Sequence, residues 1–127
     1  MGNLEINGMF DSFACNQLEI FAKPDLQIRL WIEADPNVVC DYEDDLADFI
    51  YEIDLLTRCS GELSPERRKY MDDLIKLRDL VRAFLRNVFY KSANRDAEQF
   101  LELTDWKEIS ILANTVYSKI RKEKWWS

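Results

Sequence analysis

Between Ser64 and Lys91 the apolar side chains return in alternating steps of three and four: Leu74, Leu77, Val81, Phe84 and Val88, with Met71, Leu85 and Phe89 widening the stripe. That period marks an amphipathic helix with a broad face to bury. Ser64 suits the N-cap, Pro65 the first helical position, and Glu66 the positive end of the helix dipole. Neither Gly nor Pro occurs between Glu66 and Lys91. The spacing therefore predicts one uninterrupted central helix over about 65–91, roughly 38 Å long at the standard rise.

The neighbouring segments repeat the helical period. Phe10, Phe13, Ala14, Leu18 and Phe21 predict a helix from Asn7 to Lys23, capped by Asn7 or Asp11 and ended by Pro24. After Pro36, Asn37 can cap a helix to about Cys59 whose inner face carries Val38, Tyr42, Leu46, Phe49, Ile50, Ile53 and Leu56. Ser60-Gly61 stops it three residues before the Ser64 cap, which predicts an antiparallel helical hairpin. Asn94 can open a brief helix over Arg95–Glu102. Thr104 can cap a last one with Ile109, Leu112, Ala113, Val116, Tyr117 and Ile120 inside.

One stretch reads two ways. Leu26, Ile28, Leu30 and Ile32 alternate with Gln27, Arg29, Trp31 and Glu33, which is a strand pattern. Its partner would be Gln17–Ala22, giving a short β-hairpin near 17–34 that is marginal unless it packs on helices. A short helix capped by Asp25 is the competing reading and the slightly favoured one. The expected fold is all-α: an irregular bundle of five or six helices around the long central one, in a single helical domain over 1–127.

Composition sharpens this picture. With 3 Gly and 3 Pro in 127 residues, the chain has few turn positions for an all-β fold. Cys15, Cys40 and Cys59 show no metal or redox spacing and are expected as reduced core thiols. Histidine is absent, which removes the commonest general base and the Ser-His and Cys-His nucleophile pairs. No basic n-region or long apolar run occurs, so a cytoplasmic protein without membrane attachment and without a cofactor is expected.

The net charge of −7 hides a division. Residues 1–63 carry 3 basic against 14 acidic side chains, whereas residues 64–127 carry 14 against 10. The acid is concentrated in Asp41, Asp44, Asp45, Asp48 and Glu52, whose spacing lines five carboxylates along one side of one helix, where like charges repel by a few tenths of a kcal/mol per pair. Three readings compete: a solvated outer face, an internal match to the Arg78, Arg82 and Arg86 stripe, or a face for a basic partner. A hairpin turning at Gly61 would set Asp45 level with Arg78 and Asp41 level with Arg82. Those arginines are also candidates for phosphate or an acidic partner, with Arg67, Arg68 and Lys69 adding charge. Interleaved Asp72, Asp73 and Asp79 make nucleic acid a disfavoured ligand. At the end of the chain Trp125 and Trp126, beside Lys122 and Lys124, either fold back on the core or act as a docking tag.

The run Glu43-Asp44-Asp45-Leu46-Ala47-Asp48 resembles the E-E-L-A-D stretch of the all-α nucleotide pyrophosphatases, which implies Mg²⁺ held by helix carboxylates. The resemblance spans six residues, and the E-x-x-E pair of those enzymes has no counterpart before residue 41, so no site residues carry over. The favoured expectation is a non-catalytic accessory, inhibitor or immunity-type factor from a bacterium or virus. It would bind a partner protein with a basic surface through the acidic face (Asp41, Asp44, Asp45, Asp48, Glu52), the Trp125–Trp126 tail, or both. A Mg-dependent nucleotide hydrolase and a structural subunit of a nucleoprotein assembly are the alternatives. The sequence leaves the oligomeric state open.

Overall fold

The computed structural model describes residues 3–32, 42–86 and 101–126, and these residues are helical, with no strand among them. The chain begins with α1 (Asn3–Phe13), which continues through a wider i→i+5 stretch (Ala14–Leu18) into α2 (Glu19–Ala22). Lys23 then turns extended (φ −120°, ψ 102°), as the residue before a proline must. Pro24 restarts the helix as α3 (Pro24–Gln27), which widens again over Ile28–Ile32. The short β-hairpin near 17–34 is therefore replaced by helix on both sides of the proline. Its cap differs too: Lys23 occupies the position before the first turn, and Asp25 lies inside it.

The alternation that suggested a strand misassigned the inward side. Gln27 and Trp31, four apart and so on one helical face, are buried, whereas Ile28 is exposed.

The acidic helix, α4 (Tyr42–Arg58), ends in a 3₁₀ turn over Ser60–Glu62. Ser64 stands extended before α5 (Pro65–Arg68), as expected, although its side chain does not cap it. The long central helix is interrupted: Lys69 and Tyr70 form a turn, and α6 (Met71–Phe84) starts afresh. The break coincides with a tertiary contact. Tyr70 is drawn into the core, with its hydroxyl donating to the Glu123 carboxylate and reaching the Lys119 carbonyl at 3.4 Å. The last helix, α7 (Thr104–Arg121), has Leu103 at the N-cap position, with Thr104 already helical. The continuation of the central helix to residue 91, the helix over Arg95–Glu102 before Leu101, the Asn37 cap and Cys40 lie outside the described residues.

α1 packs on α4, α2 on α7, and α6 on both α4 and α7. The α4–α6 contact is the one the hairpin reading requires. At the centre Phe21 stacks on Phe49 (ring centroids 4.0 Å apart) and meets Trp31 and Trp106 edge-on or tilted at 6.3 and 5.3 Å. Such arrangements suit the aromatic quadrupole and bury large areas. Leu46, Ile53, Leu56, Leu74, Leu77, Val81, Val116 and Ile120 complete this core.

A polar knot sits within it. Pro24 ends the helix before it, so the last carbonyls of α2 need partners from elsewhere. Gln27 supplies them, its Nε2 donating to the carbonyls of Ile20 (2.9 Å) and Phe21 (3.0 Å) and to Ser110 Oγ (3.1 Å). Trp106 Nε1 donates to Gln27 Oε1 at 3.0 Å, Ser110 Oγ donates to the Phe21 carbonyl, and Asn114 Nδ2 to that of Ala22. Of the cysteines, Cys15 is exposed and Cys59 half-buried, both as free thiols. Cys15 is thus a surface residue and not part of the core.

Candidate partner-binding face

The sequence-predicted ribbon separates into two kinds of carboxylate. Asp45 leans inward, half-buried, and accepts a 2.7 Å hydrogen bond from Trp31 Nε1. Asp44 and Asp48 are exposed and Glu52 is half-buried, one turn apart along α4. These three make no ion pair with any described residue. Asp41 lies outside the described residues.

The arginine stripe finds its acid elsewhere. Arg78 contacts Asp54 Oδ1 at 2.9 Å and Asp79 Oδ1 at 3.0 Å, and Arg82 reaches Asp54 Oδ2 at 3.3 Å. Burial pulls the Arg78 pKa down, but hydrogen bonds to Asp79 and Asp54 outweigh it and hold the group above its ordinary value. Asp54 lies about two and a half turns further along α4 than the Asp45 expected to face Arg78. The displacement follows from the connection: the returning helix α6 begins only at Met71, after a 3₁₀ turn, a buried Leu63 and α5. Arg86 is exposed, with no ion pair among the described residues.

The other basic candidates serve the chain itself. Arg67 grips Asp11 with two 2.8 Å bonds, which raises its pKa, and Arg68 donates to the carbonyls of Ser60, Gly61 and Leu63. The Arg67 guanidinium also lies 4.2 Å from the centre of the Trp125 ring, which meets Phe10 edge-on at 6.2 Å. Trp125 and Trp126 are half-buried and packed against the core. Glu123 fixes the approach to them, pairing with Lys69 at 2.7 Å and accepting from Tyr70, and these bonds hold its carboxyl below the usual range. The tryptophan pair is folded back.

Sequence reasoning missed one residue of the face. Tyr51 is 58% exposed, an open aromatic ring on α4. It stands three positions after Asp48 and seven after Asp44, so it projects from the same side of α4. The signal was present, because Tyr51 falls outside the inner stripe of Leu46, Phe49, Ile53 and Leu56. Among the described residues no group of three or more Asp, Glu or Cys side chains stands close enough to hold a metal ion, and no helix is long and apolar enough to cross a membrane. No family model matches the chain, and no curated protein or solved structure matches it.

Proposed function

We propose that the protein is a small non-catalytic binding module that engages a partner protein with a basic surface through the outer face of α4. What supports this reading above all is that Asp44, Asp48 and Glu52 have no cationic partner among the described residues, while Arg78 and Arg82 turn to Asp54 and Asp79. Like charges at these spacings disfavour the helix slightly, and a cationic partner would relieve that repulsion. Tyr51 in their midst supplies the rigid, amphipathic ring that commonly anchors interfaces. The Trp125–Trp126 tail contributes to the module's stability in this reading, and α4 carries the recognition.

An inhibitor or immunity-type role is the specific form we favour: a rigid acidic face laid over a basic groove, with complementary charge speeding association. The test is affinity capture from native lysate with wild-type protein and an Asp44→Lys, Asp48→Lys, Glu52→Lys variant, at low and high salt. The reading requires a protein that the wild type retains at low salt and the variant releases, with both baits equally folded by circular dichroism. Equal capture by the two baits overturns it.

A further inference from the structure

A second surface lies away from α4, between α3 and α7. An open groove of about 540 Å³ runs there, walled by Pro24, Ile28, Leu101, Trp106 and Ile111. Ile111 is 68% exposed, and Ile28 across the groove is also exposed. The volume falls within the range of small-molecule sites, and apolar side chains left open in a concavity are unusual unless something covers them.

The two ends of this groove differ in charge. At one end Glu102 and Lys107 neutralise each other at 3.3 Å. At the other, Asn114 belongs both to the groove and to an adjoining depression formed with Lys23, Tyr117, Arg121 and Lys122. Glu19 beside it is already engaged by Lys23 at 3.5 Å and by the Tyr117 hydroxyl at 2.8 Å, and Glu123, next to Lys122, by Lys69 at 2.7 Å. Arg121 and Lys122 have no ion pair among the described residues. An apolar trough thus opens toward two exposed cations, Arg121 and Lys122, that have no ion pair among the described residues, which is the complement of a long-chain anion.

We propose that the α3–α7 groove binds a free long-chain fatty acid, its alkyl chain along Ile28, Trp106 and Ile111 and its carboxylate at Asn114, Arg121 and Lys122. This surface shares no residue with the α4 face, so the two assignments stand or fall separately. Calorimetry on the full chain with sodium decanoate, laurate and myristate, each below its micelle concentration, tests it. Saturable binding should tighten by about fifteen-fold for each two-carbon step, the factor expected for two buried methylenes. Dodecanol should bind more weakly than laurate, and Arg121→Glu with Lys122→Glu should erase that preference. Ile111→Asp, at a position too exposed to threaten folding, should abolish binding with an unchanged circular-dichroism spectrum. Absence of saturable binding, affinity independent of chain length, or an unaffected Ile111→Asp variant each overturns the proposal. So does a concentration-dependent dimer that Ile111→Asp dissolves while laurate leaves it intact, because the groove would then be a contact between two copies of this chain.

Discussion

The knot around Gln27 and the outer face of α4 are both rich in polar groups, and the chain treats them oppositely. Around Gln27, which is 1% exposed, donors and acceptors are matched across three segments of the chain. On α4, Asp44, Asp48 and Glu52 carry charge that no described residue answers. Solvent explains the permission but not the pattern: a buried polar group without a partner costs about 1–3 kcal/mol, whereas an exposed carboxylate costs almost nothing. Polar groups in the first region hold the fold together, and those in the second make no ion pair among the described residues.

The largest effect should come from breaking the knot. Gln27→Leu leaves the Ile20 and Phe21 carbonyls and Trp106 Nε1 short of partners, and the loss in urea unfolding should be about 3 kcal/mol. A loss below about 1 kcal/mol would mean that water replaces the amide and that the two regions differ less than their burial implies. Next comes Arg67→Ala, which removes the paired bonds to Asp11 and the cation above Trp125, for about 1–2 kcal/mol together with altered tryptophan emission.

Alkali should sharpen the same contrast. Burial and the hydrogen bond to Glu19 push the Tyr117 phenol from 10.0 to about 12. The folded chain holds the neutral phenol while the unfolded chain ionises, so this contribution is complete below pH 10 and is lost as pH rises from 10 toward about 12. Tyr117→Phe should flatten that part of a thermal-stability profile. Asp54→Asn, which takes the ion pair from Arg82 and leaves Arg78 with Asp79 alone, should cost roughly 0–1 kcal/mol in urea unfolding. Smallest of all, joint Asp44→Asn, Asp48→Asn and Glu52→Gln should leave stability unchanged or raise it by a few tenths of a kcal/mol. A clear destabilisation by that triple change would place these carboxylates with the structural groups.

Much of the bundle was legible from apolar spacing. The first helix, which starts at Asn3 and not at Asn7, and those over 42–58, 71–84 and 104–121 follow stripes whose described members are buried, Ile50 and Leu112 in part, because burial and period are two expressions of one geometry. The break at Lys69–Tyr70 was not legible. No Gly or Pro marks it, and the residue at the break, Tyr70, meets Glu123, 53 positions away. The same limit applies to the α4 face. The carboxylate spacing was visible, but the choice of Asp54 by both arginines depends on where α6 restarts, and Asp45 is drawn inward by Trp31, an indole that alternation had placed on the polar side. Tyr51 stood out only once its neighbours' burial was known.

The Gln27 knot also imposes an order of events on a newly made chain. Its partners Trp106 and Ser110 lie 79 and 83 residues downstream, so no local segment can close it. While the chain is being synthesised at about 5–20 residues per second, Gln27 Oε1 and the Ala22 carbonyl must wait several seconds in water until Trp106 and Asn114 have emerged. Long-range closure of this kind slows folding relative to a bundle built from neighbouring hairpins. A nascent chain stalled before Trp106 should therefore remain protease-sensitive between α2 and α3, and one released beyond α7 should become resistant.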